Sequence, residues 1–331
     1  MTKYQLPPGF GLHPAAAEDL DAIAVLIREV WQADGDPFMT ETVDDLRNDW
    51  SRPGRNLTTD AWVVTAPNGQ IVGFEEGLER HGHAIILGGG YVHPEYLNLG
   101  IGTALVRRLE AWAGEHLAQA APDLQVTIDF GGLGSYDQKS HALLESEGYK
   151  PVRYFWRMEV TLECPPAAPT WPEGIDIRPF DSDAHMQAVF AADEEVFEDH
   201  WGYFPTPFEK WKHRRTVERP FDPGLWHVAW DGDEIAGYSL TNYRNEIGWV
   251  SNLGVRRPWR RRGLGLALLL HSFHAFYECD TPTVGLGVDA ENKTGATSLY
   301  EKAGMKTIQN YLTFEKVLRA GKEIGVQSLA E

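Results

Sequence analysis

A series of short segments occurs twice in this sequence, in the same order, and this duplication constrains the fold more than any other feature. The matched pairs are residues 61–64 with 225–228, 71–74 with 235–238 and His93-Pro94 with Arg257-Pro258 at an offset of 164, Gly100-Ile101-Gly102 with Gly263-Leu264-Gly265 at 163, and residues 143–148 with 299–304 at 156. This period is far longer than that of a solenoid repeat. The sequence therefore predicts two domains that share one fold.

A proline-rich segment separates the two copies. Four prolines lie between Cys164 and Pro172, and proline interrupts both helices and central strands. We expect residues 161–174 to form a linker. The predicted domains are then residues 1–160 and 175–331, each long enough to bury a core of its own.

Each copy has the pattern of an α/β (α+β) domain, in which strands and helices are interspersed. The elements predicted in the second copy are a hairpin over 226–240 around Asp231-Gly232-Asp233, a strand over 248–255, a helix over 264–277, a buried strand over 284–288 and a helix over 294–303. Gly304 is a suitable residue to end the last of these helices. An amphipathic helix opens each copy.

Composition and charge disfavour several classes of function. The formal net charge of −18 disfavours binding along a nucleic-acid backbone. The sequence has no run of apolar residues long enough to span a membrane, and residues 1–12 do not resemble a secretion signal. Cys164 and Cys279 lack the spacing of a metal site or a disulfide framework. We expect a cytoplasmic protein that binds no metal, nucleic acid or membrane.

The segment from Val255 to Leu268 carries the clearest chemical signal. A strand ends there, three successive arginines follow at 260–262, and two glycines lead into an apolar helix. Gly263 and Gly265 let the backbone approach a ligand closely because they have no Cβ atom. The unpaired N–H groups of the first helical turn, the helix dipole and the arginines all favour an anion. The segment predicts a phosphate or pyrophosphate site.

Three classes of phosphate ligand compete for this turn. A P-loop requires Gly-Lys-Ser/Thr at its end, which the segment lacks. A dinucleotide fingerprint requires a third glycine where Leu268 stands, although Asp289 has roughly the spacing of its acidic residue, so this alternative stays open. Coenzyme A is the third class.

The residues around this turn resemble a known family. Arg260-Arg261-Arg262-Gly263-Leu264-Gly265 is similar to the Gln/Arg-x-x-Gly-x-Gly/Ala signature of the GNAT superfamily of N-acyltransferases, which binds the coenzyme A pyrophosphate. The preceding Leu253-Gly254-Val255 resembles the strand that pairs with the pantetheine arm. Residues 292–305 resemble a later motif, in which Asn292 would contact the cofactor and Tyr300 would lie near its sulfur.

The resemblance implies both a fold and a reaction. It predicts two tandem GNAT domains, each a mixed, mostly antiparallel sheet flanked by helices. The second domain would bind acetyl-CoA and acetylate a primary amine of a small molecule by direct attack on the thioester. Tyr300 would act as the general acid, and Glu246, just before the third strand, as the general base. The predicted acceptor contacts are Asp199, His200, Trp201 and Tyr203.

The first copy keeps the glycine turn but loses its charge. Leu97 stands where the signature has Gln or Arg, Leu144 stands where the second copy has Tyr300, and Tyr136 falls opposite Asn292. We therefore expect the first copy to be degenerate. Tandem copies with a better preserved second domain are also similar to the mycothiol synthases, one group within this family, but that likeness does not identify a substrate.

Two other functions compete with small-molecule N-acetylation. A non-catalytic protein that binds or senses acyl-CoA would keep the turn at 260–265 without needing Tyr300. A protein-lysine acetyltransferase would need an open groove for its substrate. The sequence is compatible with a monomer or a homodimer.

Overall fold

The computed structural model describes residues 6–36, 42–51, 55–217, 221–292 and 294–325. These residues form two compact units. Of the described residues, 6–153 and 311–324 make up unit 1, and 154–310 with Gly325 make up unit 2. The chain therefore leaves unit 1 after residue 153 and returns to it at residue 311.

The two units repeat the same order of elements. The elements are, in chain order, β1 (Gly11–Pro14), α1 (Leu20–Ala33), α2 (Val43–Trp50), α3 (Leu57–Asp60), β2 (Ala61–Thr65), β3 (Ile71–Arg80), β4 (Ile85–Val92), α4 (Ile101–His116), β5 (Val126–Gly134), α5 (Gln138–Ser146), β6 (Lys150–Thr161), β7 (Ile175–Pro179), α6 (Ser182–Phe197), α7 (Phe208–Thr216), β8 (Trp226–Asp231), β9 (Glu234–Arg244), β10 (Ile247–Val255), α8 (Leu264–Glu278), β11 (Thr283–Asp289), α9 (Ala296–Lys302) and β12 (Lys306–Arg319). The predicted elements of the second copy all correspond to elements in this series.

Each unit has a mixed, mostly antiparallel sheet. The strand order is β1-β2-β3-β4-β5-β12 in unit 1 and β7-β8-β9-β10-β11-β6 in unit 2. Neighbouring strands are antiparallel except for β4 with β5 and β10 with β11, which are parallel. The predicted fold class is confirmed.

The last strand of each sequence copy pairs with a strand of the other copy. β6 ends the first copy in sequence, yet it pairs with β11, so that Met158 lies opposite Leu286. β12 ends the second copy and pairs with β5, where Phe314 lies opposite Phe130. The predicted domain boundaries near residues 160 and 175 differ from the unit boundaries after residues 153 and 310. Side-chain periodicity predicts a strand but does not show which strand it pairs with. Residues 162–174 are all described and contain no helix or strand.

Helices cover both faces of each sheet. In unit 1, Trp62 packs with Trp112 of α4 on one face, while the neighbouring Val63 packs with α1 on the other. This alternation follows from the two-residue period of a strand. In unit 2, α6 and α7 cover one face, and α8 and α9 cover the other. A large apolar side chain buried in this way contributes about 1.5–3 kcal/mol to folding.

The pairing of the strands corrects one of the repeat matches. The equivalent of Val64 is Ala229, because each pairs with the glycine of the repeated Ile-x-Gly segment. The offset there is 165, so the match of Trp62 with Trp226 is wrong by one residue. A shift of one residue moves a strand side chain to the opposite face. Trp62 accordingly faces α4, whereas Trp226 faces α7.

The described ranges contain neither a membrane-spanning helix nor a cluster of metal ligands. No helix in them is long and apolar enough to cross a membrane, and no group of three His, Cys, Asp or Glu side chains could hold a metal ion. Cys164 and Cys279 are free and exposed.

Candidate active site

A gap opens in the sheet of unit 2 where β10 and β11 diverge. Their parallel pairing ends at Val250 and Leu286. At the same place, the pairing of β10 with β9 shifts register between Val250 and Asn252, and such a bulge bends a strand. The backbone of residues 251–255 therefore presents an edge toward β11 that a ligand can bind.

A cavity of about 830 Å³ lies at this gap. The predicted cofactor residues that line it are Leu253, Val255, Arg260, Arg261, Gly263, Leu264, Gly265 and Asn292. The predicted acid Tyr300 and the predicted acceptor residues His200 and Trp201 line it as well. The structure thus brings most of the predicted site residues together in one cavity.

Two predicted cofactor residues, Gly254 and Arg262, lie outside the lining. Gly254 faces the other side of the sheet, where an added Cβ would lie 2.4 Å from the ring of Tyr238. Arg262 turns away from the cavity, and its Nη2 donates to the carbonyl oxygen of Glu173 at 3.1 Å. The turn predicted from the signature lies at the cavity, while the directions of its individual side chains depend on the fold.

Glu246 is also outside the cavity. It occupies the turn between β9 and β10 with a left-handed φ of 65°, and the lining on β10 begins at Val250. Four residues of extended strand span about 13 Å. Glu246 lies at the closed end of this strand, whereas the gap is at its other end, so the geometry does not support it as the general base.

Two of the predicted acceptor contacts point elsewhere. Asp199 Oδ2 accepts a hydrogen bond from Arg257 Nη2 at 2.7 Å. The hydroxyl of Tyr203 donates to Glu194 Oε2 at 2.8 Å. Neither residue lines the cavity, and both hold the segment after α6 in place.

The turn before α8 has the geometry of an anion site. Arg261 adopts a left-handed φ of 61°, and Gly263 adopts one of 88° at the start of the helix. The first bond of the helix runs from the N–H of Ala267 to the carbonyl oxygen of Gly263 at 3.1 Å. The N–H groups of residues 264–266 therefore have no partner within the helix and face an incoming anion.

The titratable groups of the cavity differ in their protonation. Tyr300 is buried, which raises its pKa to about 12, so that it holds its proton at neutral pH. Burial lowers the pKa of His200 below the ordinary histidine value, although Asp289 opposes this. His200 is therefore neutral at pH 7 and able to accept a proton.

Comparison with known proteins identifies the family. Residues 23–130 and residues 193–305 each match the model of the Acetyltransferase (GNAT) family. The two matches together cover more than half of the chain. The chain belongs to the GNAT acetyltransferase family. The prediction of a tandem GNAT enzyme is confirmed, and acyl-CoA is the acyl donor in this family.

Several relatives of this GNAT chain match it over most of its length. A mycothiol acetyltransferase from Pseudarthrobacter chlorophenolicus is 28% identical over 304 residues, which cover 84% of this chain and 86% of that protein. The crystal structure of a GCN5-related N-acetyltransferase from Sphaerobacter thermophilus is 36% identical, with a TM-score of 0.84 over 98% of this chain and 100% of the other. A tandem GNAT protein from the clavulanic acid biosynthesis pathway is 17% identical, with a TM-score of 0.72 over 95% and 100%, and shares the fold.

Sequence reasoning missed the central residue of a polar network beneath this GNAT site. Asp193 of α6 is only 5% exposed. Its Oδ2 accepts from Trp211 Nε1 at 2.7 Å, and its Oδ1 accepts from the Tyr238 hydroxyl at 2.8 Å and from Asn252 Nδ2 at 2.7 Å. Asn252 lines the cavity, so Asp193 positions part of its wall. In the sequence, Asp193 could have been noticed as an acidic residue on the apolar face of the helix that became α6.

Unit 1 of this GNAT chain has a similar but smaller gap. Pairing of β4 with β5 ends at Gly88 and Phe130, and a cavity of about 360 Å³ lies there. Asn98 repeats the left-handed turn conformation of its counterpart Arg261, with a φ of 63°. Leu97 and Leu144 line this cavity. The backbone of the turn is thus repeated without its arginines and without the tyrosine.

Proposed function

We propose that unit 2 transfers an acetyl group from acetyl-CoA to the primary amine of a small molecule. The observation that carries this proposal is one cavity that contains both an anion-binding turn and a buried, protonated tyrosine. The arginines and the helix start suit the phosphates of a coenzyme A donor. Tyr300, on α9, suits the departing sulfur at the other end of the same donor.

The donor site is built mainly from backbone groups. The N–H groups of residues 264–266 and the guanidinium groups of Arg260 and Arg261 suit a pyrophosphate. The free edge of β10 over residues 251–255 suits the amides of a pantetheine arm. An added Cβ at Gly265 would lie 2.9 Å from Cδ1 of Leu299, so a larger residue there would displace this side chain of α9. Acetyl-CoA supplies the thioester whose carbonyl carbon the amine attacks.

Two side chains carry out the proton transfers of this reaction. The N–C bond forms as the C–S bond breaks, so the amine must lose a proton and the sulfur must gain one. We assign the first step to His200, which is neutral and lines the cavity, in place of Glu246. Tyr300 donates its hydroxyl proton to the sulfur and regains a proton from solvent.

A small acceptor fits the cavity better than a protein lysine. Phe155 and Trp201 form an aromatic contact there, with ring centroids 6.3 Å apart, and both line the cavity together with Phe197. Such rings suit a compact ligand. Curated relatives named mycothiol acetyltransferases support an amine acceptor of small-molecule size.

The proposed function is tested by release of free coenzyme A thiol from acetyl-CoA in the presence of a panel of small primary amines. Thiol release that depends on the amine, with formation of the N-acetyl product, is the expected result. Saturable binding of acetyl-CoA without turnover of any amine or lysine peptide would favour a non-catalytic binding protein. Turnover of lysine peptides alone would favour the protein-directed alternative.

The Arg260→Ala/Arg261→Ala double variant is expected to weaken acetyl-CoA binding by about ten- to hundredfold, because charge-assisted hydrogen bonds to the phosphates are lost. Calorimetric titration measures the change. Arg262→Ala is the matched control, since this arginine belongs to the same turn but points to Glu173. Equal weakening in the control would contradict the assigned directions of these side chains.

The pH dependence of kcat/KM is expected to carry the signature of His200. The neutral form is needed, and burial lowers its pKa, so activity should persist below the ordinary histidine value and fall only at more acidic pH. His200→Gln should lower kcat by about 10²–10⁴-fold and remove this acidic limb. An unchanged limb in the variant would exclude His200 as the base.

A further inference from the structure

Unit 1 contains a buried carboxyl group that the proposed reaction does not use. Glu75 of β3 is 1% exposed and lines the smaller cavity. Its Oε1 is buried and has no hydrogen-bond partner among the described residues. A buried polar atom left unpaired is costly. Its orientation into a cavity points to a ligand that satisfies it.

The backbone around Glu75 makes room for its side chain. A Cβ at position 90 would lie 2.3 Å from Oε2 of Glu75, so only Gly90 allows the carboxyl group to occupy the gap beside β4. The equivalent residue in unit 2 is Ser239, which is satisfied by a 2.8 Å hydrogen bond from Ser272 Oγ. The carboxyl group in the gap is therefore a property of unit 1 and not of the shared fold.

Acidic and aromatic side chains form part of the remaining wall. Asp34 and Asp137 line the cavity together with the basic Lys139. Trp31 and Tyr91 also line it, and their rings meet edge to face with centroids 6.2 Å apart. Aromatic faces near carboxylates attract organic cations. Burial, reinforced by Asp137, raises the pKa of Asp34 to about 6.

The same cavity is poorly suited to a coenzyme A pyrophosphate. Leu97 and Asn98 occupy the turn in which unit 2 has Arg260 and Arg261. Its volume of about 360 Å³ is less than half of the 830 Å³ in unit 2. Size and charge both favour a compact cation over a long polyanion.

We propose that the cavity of unit 1 binds a small organic ammonium ion, with Glu75 as its counter-charge and Trp31 and Tyr91 as its aromatic wall. Burial raises the pKa of Glu75 well above its usual value, with Glu76 adding to the effect. Glu76 itself is paired with Arg55. A bound cation would favour the ionised carboxylate, so any proton that Glu75 carries in the free protein would be released on binding.

Calorimetric titration of the full chain with choline tests the proposal. Choline has no N–H group, so N-acetylation in unit 2 cannot consume it. We expect one site per chain, and affinity at least about tenfold weaker for the neutral isostere 3,3-dimethylbutan-1-ol. Glu75→Gln, which keeps the shape of the side chain, should weaken choline binding by at least about tenfold. Titrations in buffers of different ionisation enthalpy should report proton release on binding.

Control variants separate this proposal from the proposed function. Arg260→Ala/Arg261→Ala should bind choline normally. Should Glu75→Gln fail to fold, Asp34→Asn provides the second test, with a smaller loss of affinity expected. Absence of choline binding, equal binding of the neutral alcohol, unchanged affinity in folded Glu75→Gln, or displacement of choline by coenzyme A would each overturn the proposal. None of these results would bear on acetyl transfer in unit 2.

Discussion

Replacement of Tyr300 by phenylalanine is expected to lower kcat by about 10²–10⁴-fold, the usual contribution of a general acid. The ring would still fill the buried position in α9, so the fold and the affinity for acetyl-CoA should be nearly unchanged. The loss should therefore appear in kcat, with little change in the dissociation constant of acetyl-CoA. Steady-state kinetics and calorimetric titration together measure the two quantities.

Tyr277→Phe is the matched control for this experiment. Tyr277 lies in α8, is half-buried and does not line the cavity. Removal of its hydroxyl should leave kcat unchanged. Full activity in Tyr300→Phe would mean that the sulfur leaves without this proton, and another acid would then have to be sought among the cavity residues.

Replacement of Asp193 by alanine is expected to lower the free energy of unfolding by about 3–5 kcal/mol, the usual cost of removing one partner of a buried charged pair. The substitution would leave the donors of Trp211, Tyr238 and Asn252 without their acceptor. Arg215, whose Nη2 lies 3.5 Å from Asp193 Oδ2, would lose its ion pair. Urea denaturation followed by tryptophan fluorescence measures the loss.

Asparagine at position 193 should also destabilise the protein, because every partner of this carboxylate is a donor and an amide nitrogen cannot accept. Asp233→Ala is the control, since Asp233 is exposed in the turn between β8 and β9; it should change stability by no more than about 0.5 kcal/mol. A similar small loss in Asp193→Ala would show that the network adds little to the stability of unit 2.

The parts of the site that could be predicted from sequence are those determined by contiguous residues. The turn from Arg260 to Gly265 is one local structure, since its glycines, its left-handed residues and the start of α8 follow one another directly. Tyr300 was chosen from the resemblance of the contiguous residues 292–305 to a GNAT motif, and it lines the same cavity. In both cases, the signal lies in residues that follow one another in the sequence.

The parts that could not be predicted depend on contacts between distant residues. Asp193 meets its partners across 18 to 59 positions of sequence. Glu246 was placed just before β10, where the structure has it, but nothing in the sequence shows which end of β10 opens. Trp62 and Trp226 look equivalent by residue type, although the pairing of β2 and β8 puts them on opposite faces. To predict these features, one must know how the strands of the sheet pair and in which register.

The exchange of final strands ties the folding of the two sequence copies together. A cut in the proline-rich segment would separate the two ancestral copies, but each fragment would carry a strand intended for the other sheet. The first fragment would lack β12, one of the two strands that pair with β5, and the second would lack β6, one of the two that pair with β11. Exposed strand edges promote aggregation. Each half is therefore expected to fold only together with the other, so that unit 1 is needed for the sheet of unit 2 whatever its own ligand.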